Sequence, residues 1–496
     1  MSSRSAPAPA TRSTDFPALR AQADQVFRRA AGAPLTGGNR VRVLRDAAEN
    51  YPAWEQAIRD ATSTIHIEMY IIHRDAVGRR FINLLIEKAR AGVKVRVIYD
   101  WFGCGWSPLL GLFRPLVAAG AEVRVFNPPH LTAALAWTTR NHRKYICVDG
   151  RVAYIGGLCM GQMWEGRPER HQDPWRDTGM EIVGPAVAHG EHGFAQSWTF
   201  AGGHIDIDGN PKMPPADAAA SPAGTTDLRL IYTEPFTAAM LRVDLLVAAM
   251  ARRRLWIADA YFAGHGPYVR ALQLAAEDGV DVRLLLPQGS DVGWTVPVSR
   301  TLYRTLIESG VRIFEWNGSM MHAKTAVADS QWARIGSTNL NLNSWVGNWE
   351  LDVAIEDRDV AHTLEAHYEE DLTKSTEILS VRSERSTRLR QGYGAAGPAP
   401  STRPVLRRDH ARRVARRALR TASGVSHAIS AAVMGSRQLE AWESAPLMTL
   451  GLILLALTVV GLWKPLVLAI PFGAASLWIG LSFLAQALGL VRPRTR

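Results

Sequence analysis

The chain is expected to fold as an α/β protein of two halves related by a pseudo-twofold axis. Each half is a mixed sheet flanked by helices, the two share one active site, and a C-terminal apolar helical hairpin follows. Three observations carry this expectation. A pattern His-x-Lys-x-x-x-x-Asp occurs twice, as His142, Lys144 and Asp149 and as His322, Lys324 and Asp329. A strand–helix–strand order repeats around it. Two almost wholly apolar stretches close the chain.

The repeat is legible residue by residue. Ile65, Ile67, Met69 and Ile71 alternate with His66, Glu68 and Tyr70, the period-two signal of a strand. Phe81, Leu84, Leu85 and Ala89 then mark one helix face, and Ala91-Gly92 turns into a strand through Val93, Val95 and Val97. In the second half Leu255 to Phe262 is the matching strand. Val269, Leu272 and Ala276 mark the matching helix, and Asp278-Gly279 opens the strand Val280 to Leu286. Ala119 to Phe126 mirrors Ser309 to Phe314, and each copy runs on into its His-x-Lys segment. The expected boundaries are 35–200 for the first half, 201–226 for a Gly/Pro/Ala/Asp-rich linker and 227–377 for the second half.

The ends differ in kind. Residues 1–34 read as a disordered or short-helical segment. Met1 to about Asp15 is rich in Ser, Ala, Pro, Thr and Arg and has no apolar run, so it resembles a disordered tail and not a signal peptide. Residues 378–445 form a basic linker in which Arg403 to Arg420 holds eight arginines against Asp409. The hairpin, 446–491, is two apolar runs separated by Lys464-Pro465. A bilayer core takes about 20 apolar residues per helix, which the second run meets and the first approaches. Arginines flank both ends of the hairpin, at Arg437 and at Arg492, Arg494 and Arg496. That places both ends, and the two halves, on the cytoplasmic side.

A net charge of +11 favours anionic partners without choosing among nucleic acid, acidic lipid and phosphorylated metabolites. Cys104, Cys147 and Cys159 have no metal-ligand spacing and read as buried small hydrophobes. Lysine is the informative cation. Only seven of the 57 Lys and Arg residues are lysines, yet two of them sit in the paired pattern.

In an extended segment, residues i and i+2 share a face. His142 and Lys144 therefore stand side by side with Arg143 turned away, and His322 and Lys324 do the same. Two imidazoles facing one phosphorus can divide the work of phosphodiester exchange, one as nucleophile and one as acid and base. The lysines would neutralise phosphate charge, and no metal or other cofactor is expected. Asp149 and Asp329 complete the pattern and are counted with the catalytic residues, although they fall at strand ends before turns, where a carboxylate more often holds the local fold than touches substrate. Past them come the small-residue turns Gly156-Gly157 and Gly336-Ser337-Thr338-Asn339, suited to place N–H groups, a hydroxyl and an amide beside a phosphate.

These motifs resemble the phospholipase D superfamily and, within it, the bacterial cardiolipin synthases, over roughly Leu35 to Glu377. Further cues are Thr36-Gly37-Gly38-Asn39, Tyr51-Pro52-Ala53, Ile67-Glu68-Met69-Tyr70, Trp175-Arg176-Asp177 and Ser290-Asp291, with Ser344, Asn348 and Glu350 after the second turn. The resemblance implies a ping-pong phosphatidyl transfer. His142 would be the nucleophile and His322 the acid and base, though the near-equivalent halves permit the reverse. Lys144, Lys324, Ser337 and Asn339 would hold phosphate oxygens, with Gly157 in the matching turn. Asp177 and Glu350 would orient the imidazoles. Cys159 stands where that family usually has Asn, and a thiol is a poorer hydrogen-bond donor than an amide, so a lopsided phosphate pocket is expected.

The resemblance also implies phospholipid substrates, phosphatidylglycerol first and phosphatidylethanolamine as another, at an anionic membrane surface of the bacterial inner membrane. No nucleic acid partner is expected, and the oligomeric state is open. Three readings compete: a phospholipase D hydrolase, which shares every catalytic residue; a nuclease of the same superfamily, which the apolar hairpin opposes; and a membrane scaffold with a degenerate site, which the four intact His and Lys residues oppose.

Overall fold

The computed structural model describes residues 16–128, 139–205 and 222–379. The tail at Met1–Asp15, most of the linker, the basic stretch and the apolar hairpin expected from the sequence lie outside the described residues. Among the described residues no helix is long and apolar enough to cross a membrane.

The first half contributes strands β1 (Thr36–Arg45), β2 (Thr64–Met69), β3 (Lys94–Asp100), β4 (Glu122–Phe126), β5 (Lys144–Val148), β6 (Val152–Gly156) and β7 (Thr178–Val183). The second contributes β8 (Thr226–Thr233), β9 (Arg254–Ala258), β10 (Asp281–Pro287), β11 (Arg312–Trp316), β12 (Thr325–Ala328), β13 (Trp332–Gly336) and β14 (Glu350–Ile355), with β15 (Ser375–Ile378) added at its edge. The strand order is β4-β3-β2-β5-β6-β7-β1 in one half and β11-β10-β9-β12-β13-β14-β8 in the other. These are the same topology, so the pseudo-twofold falls between β1 and β8, which pair antiparallel through Thr36 with Leu228 and Asn39 with Thr226. Asn39 ties that seam: its amide donates to the Thr36 and Thr226 carbonyls and its Oδ1 accepts the Ala186 N–H.

The parallel pairs β2–β3 and β9–β10 need crossover connections, and helices supply them. Helix α1 (Phe16–Ala31) precedes β1, and α2 (Asp46–Asp60) and α3 (Ala76–Arg90) cover one face of the first sheet. Phe81, Leu84 and Leu85 of α3 are buried there, on the face the sequence spacing marks. Short helices α4 (Arg114–Ala118) and α5 (Gln162–Glu165) precede β4 and β7, and α6 (Ala186–Phe200) leads toward the second half. There α7 (Ala239–Met250), α8 (Gly266–Glu277), α9 (Thr295–Glu308) and α10 (Arg358–Thr373) pack in turn. The N-terminal helix does not pack on the half it precedes in sequence. Its Asp24 pairs with Arg229 at 2.5 Å and its Ala30 carbonyl accepts Arg242 Nε at 2.9 Å, both in the second half.

One apolar cluster lies under α2 and α3 and another under α7 and α8. A third joins the halves, with Tyr145, Ile155, Met180 and Ile182 of one meeting Ile335, Trp349, Leu351 and Val353 of the other. The polar positions of β2 are buried too. His66 meets Glu191 of α6 at 2.7 Å, and Glu68 accepts Asn141 Nδ2 at 2.7 Å.

Arg143, turned away from His142 and Lys144 as the spacing requires, is fully buried at this seam. Its guanidinium lies between the rings of Tyr232 and Trp349, 4.7 and 4.8 Å from their centroids. It donates to Ser197 Oγ and the Glu350 carbonyl, and lies 3.9 Å from Glu68. Arg143→Ala leaves the Glu68 carboxylate buried without its cation. The folded state is expected to lose about 3 kcal/mol, read by chemical denaturation of the purified chain.

Candidate active site

The chemistry gathers at one end of the two half-sheets. His142 lies just ahead of β5 and His322 just ahead of β12, while Asp177 precedes β7 and Glu350 opens β14. The extended His-x-Lys segments therefore lie at the entry to the regular strands, and their backbone N–H groups reach across the seam. The His142 N–H donates to the Trp349 carbonyl at 2.9 Å, and the His322 N–H donates to the Arg176 carbonyl at 2.7 Å. Trp349 and Arg176 each precede one of the two acids, so the backbone pairing carries each acid to the opposite half's histidine.

The side chains follow. His142 Nδ1 lies 2.8 Å from Glu350 Oε2, and His322 Nδ1 lies 2.6 Å from Asp177 Oδ2. An ionised carboxylate only accepts, so Nδ1 carries the proton in both rings and Nε2 keeps its lone pair. Both acids are themselves braced. Glu350 accepts Ser337 Oγ at 2.5 Å and Asn348 Nδ2 at 3.2 Å. Asp177 accepts Trp164 Nε1 and the Thr178 N–H, each at 2.8 Å.

Lys144 Nζ and Lys324 Nζ each return to the carbonyl of the histidine two residues earlier. They sit over Tyr70 and Tyr261, 5.1 and 5.6 Å from the ring centroids. Lys324 Nζ also lies 3.1 Å from His322 Nε2.

Burial dominates the electrostatics. It pulls His142 down from its ordinary 6.5 to about 4, against the pull of Glu350 and with help from Lys144. His322 is lowered for the same first reason, and then by Lys324. Burial also lowers Lys324 from 10.5 to about 8 and Lys144 in the same direction. The carboxyls resist burial, which would raise them; His322 holds Asp177 below its ordinary value and His142 does so for Glu350. The resting site therefore holds neutral imidazoles, ionised carboxylates and ammonium groups that titrate early.

His142, Lys144, His322, Asn339 and Cys159 line one cavity of about 710 Å³, together with Tyr70, Arg140, Tyr261 and Asn341. A neighbouring cavity of similar size, lined by His73, Arg167 and Ser319, holds none of the expected site residues and shares Trp175 with the first. Asn339 Oδ1 is buried without a hydrogen-bond partner among the described residues. Cys159 is buried, and burial raises its thiol pKa, so it stays a neutral thiol.

Gly157 and Ser337 occupy matching positions one residue past β6 and β13, with different consequences. A Cβ on Gly157 would lie 2.1 Å from Asp177 Oδ1, so the glycine makes room for Asp177, whereas Ser337 donates to Glu350.

Two residues of the pattern are not brought to the cleft. Asp149 accepts the N–H groups of Thr62, Ser63 and Thr64, and Asp329 those of Arg252, Arg253 and Arg254, at the opposite ends of the strands. Grouping them with the catalytic residues is corrected accordingly. Both adopt a left-handed backbone, φ 54° and 53°, which Asp tolerates better than most residues, and both fasten the turn where β2 or β9 begins. Trp164 is the residue that sequence reading missed; a tryptophan between Met163 and Glu165 in a short glycine-flanked helix gives no sign that its N–H will find a buried carboxylate.

Two imidazoles braced by carboxylates across a pseudo-twofold, with a lysine beside each, form a two-histidine site of the phospholipase D type. A sequence profile described as "Cardiolipin synthase, PLD-like domain" matches residues 55–162 and 247–372. Cardiolipin synthase A of Pseudomonas syringae is 32% identical over 394 residues, covering 77% of this chain and 78% of the relative. The cardiolipin synthase of Alkalihalophilus pseudofirmus is 31% identical over 350 residues, covering 70% and 68%. The crystal structure of phosphatidylserine synthase from Haemophilus influenzae superposes with a TM-score of 0.57 over 75% of this chain and 97% of that one; at 13% identity it speaks for the fold alone. The chain belongs to the cardiolipin synthase family.

Gly157→Ala pushes the Asp177 carboxylate off its mark while leaving both histidines, both lysines and both acids unsubstituted. It is expected to cost about 100-fold in kcat with the circular dichroism spectrum unchanged. Substrate binding is expected to weaken above about pH 8, as the buried Lys324 ammonium gives up its proton; KM measured against pH then rises on the alkaline side.

Proposed function

We propose that the chain is a phosphatidyltransferase that makes cardiolipin from phosphatidylglycerol through a phosphohistidine. The observation that carries the reading is the crossed pair of imidazole–carboxylate contacts, which leaves two Nε2 atoms for one phosphorus. His142 Nε2 attacks the donor phosphorus, and a P–N bond forms as the P–O bond to the glycerol head group breaks. His322 passes a proton to the departing oxygen. A second phosphatidylglycerol then gives its hydroxyl proton to His322 and attacks the same phosphorus, which breaks the P–N bond and frees His142. Water in place of that lipid would yield phosphatidic acid.

The free site is poor in protons, since burial lowers both histidines. A phosphodiester anion entering the cavity supplies the missing negative charge and raises the proton affinity of His322, so substrate binding itself prepares the acid. Lys144, Lys324 and the Asn339 amide would hold its oxygens, with Ser337 and Gly157 supporting the acids behind. Cys159 in the place of an amide leaves the first-half side one strong donor short, and the phosphate would lean toward the second half. The halves would work at the cytoplasmic face of the bacterial inner membrane. Residues 35–200 and 227–377 act as one catalytic body, and 446–491 serves as the anchor.

Incubating the reconstituted chain with labelled phosphatidylglycerol in EDTA is expected to yield cardiolipin and glycerol; phosphatidic acid as the sole lipid product would replace transfer with hydrolysis. His142→Ala and His322→Ala are each expected to lower kcat by at least about 1,000-fold, with acid-labile label trapped on protein in the second.

A further inference from the structure

We propose that the rim of the catalytic cleft is a bilayer-docking surface, seated on phospholipid so that a head group enters while its acyl chains stay in the membrane; the inference rests on the phospholipid reading above. Among the described residues, three large apolar side chains that line the cleft are exposed, and three more follow one of them in the same segment. Phe102 lines the cleft and stands 60% exposed, and the same segment goes on to show Trp106 at 76%, Leu109 at 72% and Leu110 at 58%. From the other half, Trp294 and Leu342 also line the cleft and are 66% and 52% exposed. Isolated exposed apolar residues are ordinary, whereas a group of them at the mouth of a binding cleft marks an interaction surface.

The segment that carries them is tied down. The Phe102 and Gly103 N–H groups donate to Asp100 Oδ1, the Ile72 N–H meets Cys104 Sγ, and the Arg74 N–H donates to Ser107 Oγ. Cys104, Leu112 and Phe113 are buried beneath. The protein thus builds a fixed support and turns the larger apolar side chains outward from it.

The occupant follows from continuity. The apolar rim runs into the cavity that holds the phosphotransfer groups, and a phospholipid joins phosphate to acyl chain in the same order. Tryptophan favours the head-group boundary, and exposed Arg114 at the end of the segment suits an anionic surface.

The test uses the full chain reconstituted into vesicles of phosphatidylglycerol and phosphatidylcholine. Native Cys104, Cys147 and Cys159 are buried, so a nitrobenzoxadiazole label added to Leu109→Cys goes to the new thiol. Bromine on the acyl chains is expected to quench that label and to spare one at Arg90→Cys, where α3 ends beside the start of β3, at the end of the strands remote from the cleft. The triple variant Trp106→Ser, Leu109→Ser, Leu110→Ser is expected to lose about tenfold in transfer on vesicles and less than about twofold on monomeric short-chain phosphatidylglycerol.

An unquenched Leu109 label overturns the proposal, whether water or the chain's own residues 446–491 cover the rim. Equal loss on both substrates overturns it as well. Quenching at Leu109 in a chain that transfers with neither substrate would uphold the docking surface and strike only the reaction assigned above.

Discussion

Each histidine of this site is completed by an acid from the other half, and the remaining geometry depends on that exchange. His142 takes Glu350 and His322 takes Asp177. Neither half could supply a braced imidazole alone. The contact is strong because it is buried: a carboxylate withdrawn from water needs its N–H partner, and an imidazole withdrawn from water loses its tendency to hold a second proton. The carboxylate then fixes which nitrogen bears the proton, and so which one faces the cleft.

The exchange is enforced from the backbone outward. The N–H of each histidine is spent on the carbonyl just before the acid that will hold it. Around those bridges the seam carries Asn39 between β1 and β8, Arg143 between Tyr232 and Trp349, and Arg176 held by Asp371 and Asp46. These groups are large, polar and buried, an arrangement that stabilises only when every partner is in place. The interface between the halves and the orientation of the catalytic groups are thus maintained by the same bonds.

The pseudo-symmetry holds for the seven strands common to both halves and is broken in chemistry. Ser337 braces Glu350 directly, whereas its counterpart Gly157 yields its space to Asp177 and leaves the bracing to Trp164. Asn339 presents an unsatisfied amide oxygen where Cys159 presents a neutral thiol. Duplicated halves whose sites face one substrate need not stay alike, since under the proposed transfer the two histidines perform different tasks within each turnover. The Cys159 position is where that freedom shows in this chain.

The order of strands and helices was legible because apolar side chains recur with the period of the backbone that displays them, as Ile65, Ile67 and Met69 do on β2 and Phe81, Leu84 and Leu85 on α3. The paired histidines and lysines of the candidate site were legible because a repeated spacing of scarce residue types survives without any knowledge of the fold. The hydrogen bonds of Asp149 and Asp329 also agree with their place before turns, although the pattern tempts one to count them with the catalytic groups.

By itself, then, the sequence determined two α/β halves and the four His and Lys residues, and the family resemblance it carries implied the acids downstream. Only the tertiary structure decided that the acids cross over, that Trp164 holds one of them and that Arg143 closes the seam. Periodicity and spacing report on neighbours along the chain. These contacts join residues far apart in sequence, and nothing in the local pattern tells an indole or a guanidinium which distant carboxylate or carbonyl it will meet.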